Sequence, residues 1–143
     1  MSGTLAMTGQ YPEIVAAFPE MVTNAGEIAA GVAASPMAEM YPDIDWTMAF
    51  RKMGELESEA WDWTEEAKSV NAPVLLIFAD ADSMTGEHIV TMYRIFGGFQ
   101  RDASFDGSLR PSAQLAILPG STHYDIMVTG EVAELVESFL KQV

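Results

Sequence analysis

The chain of 143 residues contains no cysteine, which excludes a disulfide framework, a thiolate nucleophile and a cysteine metal site. Histidine is nearly absent as well: His88 and His123 are the only two, too few for a histidine-rich metal centre, and no metal or cofactor is expected. Basic residues are scarce, 7 against 21 acidic ones, for a net charge of −14. Such a surface repels phosphate backbones and anionic lipid, so neither nucleic acid nor a membrane is an expected partner. There is no uninterrupted apolar run of about 18 residues and no basic segment leading an apolar one at the amino end, so a cytoplasmic location is the expectation.

What is present is apolar content, 49% of residues, enough to bury one core, and a single domain over residues 1–143 is expected. The character of the chain changes near Asn71-Ala72-Pro73, and seven of the ten methionines precede that point. Tyr11-Pro12-Glu13 places proline where a helix can start, with Ile14, Val15 and Phe18 on one face. Ser35-Pro36 opens a second short helix. Asp45 reads as the cap of a longer one carrying Trp46, Phe50, Met53 and Leu56, and Thr64 as the cap of another carrying Ala67 and Val70. Trp46, Trp61 and Trp63, together with the methionines, either pack the cores of these short helices or line a pocket for an apolar ligand.

After Pro73 the pattern is that of strands. Val74 to Phe78 is apolar without alternation, as in a parallel strand buried on both faces; a buried helical turn is the other reading. Ile89, Met92, Tyr93 and Phe96 form one stripe of a helix that Gly97-Gly98 stops. Residues 99–112 read as a loop, Ala113 to Leu118 as a second strand, parallel to the first through the helical crossover. Thr129 reads as the cap of a closing helix with Val132, Leu135, Val136, Phe139 and Leu140 on one stripe. The expected fold class is therefore α/β, a short parallel sheet of two main strands in one βαβ unit, preceded by helices.

The chemistry-bearing residues sit at the carboxyl ends of these two strands, in Pro73-Val-Leu-Leu-Ile-Phe-Ala-Asp-Ala-Asp82 and in Leu118-Pro-Gly-Ser-Thr-His123. An imidazole becomes a competent base when a carboxylate accepts its Nδ1–H and fixes its tautomer, and loops at the carboxyl ends of parallel strands are where such groups converge. Asp82 or Asp80 supplies the acid and His123 the base. In order and setting the two motifs resemble the last third of the α/β-hydrolase fold, whose triad runs Ser, Asp or Glu, His. Ser2-Gly-Thr-Leu resembles the segment after that fold's sixth strand, and Asp62-Trp-Thr-Glu-Glu the end of its cap. The resemblance implies that residues 8–70 correspond to a helical cap, that 73–143 form the βαβα C-terminal part, that Asp82 matches the triad acid, with Ala79 at the family's glycine position, and that His123 matches the base.

No Gly-x-Ser-x-Gly occurs in the sequence. The nucleophile elbow and the amides of an oxyanion hole therefore lack a counterpart, and with them the largest electrostatic contribution to acyl transfer. Ser83 and Ser121 neighbour Asp82 and His123 without sitting in such an elbow. The expectation is a truncated α/β-hydrolase-like protein that keeps the triad acid and histidine and has little or no hydrolase activity alone. The alternatives are a module that binds a small apolar ligand and one half of a split ester-type hydrolase. His88 reads as a histidine of a helix's first turn. With few strands, the first would lie at a sheet edge unless Met1 to Met7 supplied a neighbour, which predicts a homodimer or higher oligomer.

Overall fold

The computed structural model describes residues 3–142, the side chains of Pro36 and Met37 excepted; Ser2 of the Ser2–Leu5 motif lies outside the described residues, as does Met1. The protein is a mixed α/β chain with seven helices and a two-stranded parallel sheet among these residues. It divides into two compact units, Tyr11–Trp61 and a second made of residues up to Gln10 together with Asp62 onward. The helical unit is thus shorter at both ends than the cap-like segment 8–70. None of the described helices is long and apolar enough to cross a membrane.

In the helical unit, α1 (Pro12–Thr23) starts with proline at its first turn, where the missing N–H removes no helical bond. Next come α2 (Ala25–Ala33), α3 (Pro36–Met40) and α4 (Trp46–Glu57). Asp45 caps α4 by accepting from Met48 N at 2.9 Å, as its position before the helix suggests. The inward face of α4 differs from the expected stripe. Met53 and Leu56 are 47% and 65% exposed, and the buried position between them is Gly54. A Cβ on Gly54 would lie 2.8 Å from both Phe18 O and Val22 Cγ2 of α1, so the helices approach through the absence of a side chain.

In the second unit, β1 (Leu75–Ala81) and β2 (Gln114–Thr122) pair in parallel from Leu75 opposite Gln114 to Ala79 opposite Leu118. The crossover is α6 (Gly86–Ile95), capped by Thr85 through His88 N. β1 is buried on both faces. Leu76 and Phe78 pack with Met84, Ile89 and Met92 under α6. Ile77 and Ala79 pack with Ile126, Val132 and Leu135 under α7 (Gly130–Leu140).

Two expected caps are made differently. Thr64 is the first residue of α5 (Thr64–Ala67), and Asp62 Oδ1 accepts its N–H at 2.8 Å; an aspartate two residues ahead offers a better acceptor than a hydroxyl within the turn. Before α7, the Thr129 hydroxyl donates to Ile126 O at 2.9 Å, closing the preceding turn, and makes no cap bond. Trp63, 60% exposed, is not a core residue.

Among the described residues, those of the amino-terminal segment do not extend the sheet. Met7–Gly9 form a 3-10 turn, Ala6 bridges Asp62, and Gln10 bridges Met84. Among the described residues β2 is the only ladder partner of β1.

Candidate acid–base site

β1 ends by delivering two carboxylates. Asp80 lies within β1 and Asp82 one residue past its end, and the ladder is irregular at Asp80, where the register jumps from Ala79 opposite Leu118 to Ala81 opposite Thr122. Three residues of β2, Pro119-Gly120-Ser121, thereby face a single residue of β1, Asp80. Both Asp80 oxygens lie 3.0 Å from Gly120 N. Gly120 has φ of +72°, a conformation that a Cβ penalises. Carboxylate and glycine together fix the bulge that turns the chain toward His123.

Asp82 is engaged from three directions. Ala79 N donates to Oδ2 at 3.0 Å, Met84 N to Oδ1 at 3.4 Å, and His123 Nδ1 lies 3.0 Å from Oδ1. Its side chain is 1% exposed, that of His123 31%. A buried carboxylate held by backbone donors orients the imidazole, while the partly exposed ring remains within reach of a reactant. Donation from Nδ1 leaves the basic lone pair on Nε2. The Tyr124 ring stands edge-on to the imidazole, with centroids 5.5 Å apart.

The loop beyond His123 is tied by a residue that sequence reading passed over. Asp125 Oδ1 accepts Thr122 N at 2.7 Å, and Thr122 Oγ1 accepts Tyr124 N at 3.3 Å. The signal was an aspartate three residues after a threonine, a common local turn pattern. Ser83 and Ser121 are each 7% exposed, and neither hydroxyl is hydrogen-bonded to His123. No group of three histidine or acidic residues able to hold a metal occurs among the described residues.

The second histidine is not brought to this site. His88 Nε2 accepts Leu5 N–H at 3.2 Å and lies 2.8 Å from Thr4 Oγ1. Burial holds the pKa of His88 below the usual histidine value, with the charge of Asp62 opposing.

No protein-family model, curated protein or solved structure matches this chain.

Proposed function

We propose that Asp82 and His123 are the acid and base of an ester-type hydrolase site of the α/β-hydrolase kind, in a chain whose sequence has no Gly-x-Ser-x-Gly elbow and that alone hydrolyses little or nothing. The observation that carries this reading is the 3.0 Å approach of His123 Nδ1 to a carboxylate whose side chain is 1% exposed. Support comes also from the order of the pair, acid before base, and from its place at the carboxyl ends of adjacent parallel strands. The third member of a triad would have to approach the exposed side of the His123 ring. Ser83 and Ser121 are poor candidates, because both are buried and the sequence gives neither the strained elbow that presents a hydroxyl.

A second copy of the chain is the partner this reading expects. β1 has one ladder partner among the described residues, and an apolar strand with an open edge is a template for another strand.

The test is turnover of a short-chain p-nitrophenyl ester by the chain, with His123→Ala prepared in parallel. Equal rates are expected. Turnover that disappears with His123 would show that the chain completes its own site and would overturn the missing nucleophile. Co-expression with the product of a neighbouring reading frame that encodes Gly-x-Ser-x-Gly is the positive arm. Hydrolysis that needs both chains and His123 is expected, and hydrolysis by both chains that survives His123→Ala would overturn the role of the base.

A further inference from the structure

In a chain with only 7 basic residues, two arginines meet in one cleft at the end of the sheet opposite the acid–base pair. The cleft, of about 340 Å³, is lined by Gly97, Gln100, Arg101, Leu109, Arg110 and Pro111, a volume at the lower end of the range for small-ligand pockets. It belongs to the connection between α6 and β2, at the amino ends of the strands. Asp82 and His123 lie beyond their carboxyl ends, roughly 20–30 Å away along the strand direction.

The loop is shaped by its own hydrogen bonds. Leu109 N donates to Ala103 O at 3.0 Å, drawing together the segments that bear Arg101 and Arg110. Arg110 N donates to Gly107 O at 3.1 Å, and Gln100 Nε2 donates to Gly98 O at 3.2 Å. The turn out of α6 is held under strain, with Phe99 at φ of +52° and its ring edge-on to Tyr93 at 4.7 Å. Non-glycine residues in this region persist where the surroundings over-determine them, often beside ligand sites.

Among the described residues no acid forms an ion pair with either arginine. The loop's two aspartates turn to the backbone instead, Asp102 accepting Ser104 N at 2.9 Å and Asp106 accepting Ser108 N at 3.0 Å. Among the described residues, ion pairs are made by Lys68, His123 and Lys141, and by no arginine. No carboxylate lines the cleft. Two guanidinium groups, each a planar fork of donors, match the several oxygens of a phosphate. Leu109 and Pro111 supply an apolar wall beside them.

We propose that Arg101 and Arg110 form a binding site for the phosphate group of a small, soluble organic phosphate ester, separate from the Asp82–His123 site and independent of its reaction.

The probe is phenyl phosphate, followed by titration of the arginine Nε–H signals of the full chain by NMR. Saturable shifts at Arg101 and Arg110 are expected. Arg101→Gln and Arg110→Gln should each weaken binding about tenfold or more, as loss of a charge-assisted hydrogen bond implies, while Arg51→Gln, in the helical unit, should leave it unchanged. Unchanged amide spectra away from the loop would show that the variants are folded. Absence of saturation, or equal weakening by Arg51→Gln, would overturn the site. Vesicles containing phosphatidate form the second arm: binding to them without binding to phenyl phosphate would overturn the soluble ligand.

Discussion

Asp80 and Gly120 face each other across the end of the sheet, both carboxylate oxygens 3.0 Å from one backbone N–H. The contact sits at the irregularity in the ladder, where Pro119-Gly120-Ser121 opposes a single residue of β1. His123 follows three residues later, so its direction depends on this bulge. Asp80→Ala should therefore loosen the turn, abolish hydrogen-exchange protection of the Gly120 amide, and cost roughly 1 kcal/mol. Unaltered Gly120 exchange in the variant would show that the bulge stands without its carboxylate.

Phe78 is fully buried, whereas Ile117, its ladder partner on β2, is 51% exposed. Phe78→Ala should destabilise the fold by about 3–5 kcal/mol, as cavity formation in a closed core does. Ile117→Ala should cost under about 0.5 kcal/mol, as surface changes usually do. Urea midpoints measured together decide this, and equal losses would mean that the two strands are buried alike at this position.

His88 links folding to pH. Its folded-state pKa is depressed by burial, so as pH falls through the unfolded value of about 6.5 the unfolded chain binds a proton that the folded chain resists. Stability should rise with pH across this window and fall on acidification, until the depressed folded pKa is passed. Protonation would also set a charged Nε2–H against the Leu5 N–H that now donates to it. Melting temperatures between neutral pH and about pH 5, compared with His88→Gln, should show a slope in the native chain that is shallower in the variant. Parallel slopes would assign the acid sensitivity to other groups.

The expected self-association should depend on salt. Each chain carries −14, and a second copy must approach against that charge. Screening shortens the Debye length from about 10 Å at 0.1 M to about 3 Å at 1 M, so the sedimentation coefficient should increase with ionic strength. A monomer at every salt concentration would contradict pairing at the β1 edge.

The strands and α6 were legible because the packing that forms them is written as apolar side chains. Val74 to Phe78 has no polar interruption, and Ile89, Met92, Tyr93 and Phe96 do pack on one core. Where packing works through an absence, the pattern misleads. The inward face of α4 passes through Gly54, and counting apolar residues points to Met53 and Leu56, which are exposed. α2, built mainly of alanine and glycine, has too weak a period to announce itself.

For the candidate site, the acid and the histidine were visible as strand-end residues, and the resemblance pointed to Asp82 over Asp80, but strand periodicity alone does not separate the two. Both follow the same apolar run, and a pleat alternating strictly would send them to the same side. What separates them is the bulge, a property of two strands in register that no single stretch of sequence contains. It brings Gly120 of β2 to Asp80, while Asp82, one residue past β1, meets His123.

The central claim, that a buried Asp82 fixes His123 as a base, is tested most directly by long-range proton–nitrogen correlation of the His123 ring in the native chain and in Asp82→Asn. The account predicts a proton held on Nδ1 in the native chain and loss of that fixed tautomer in the variant. A proton on Nε2 in place of Nδ1 in the native chain, or a ring whose tautomer does not respond to Asp82→Asn, would contradict it.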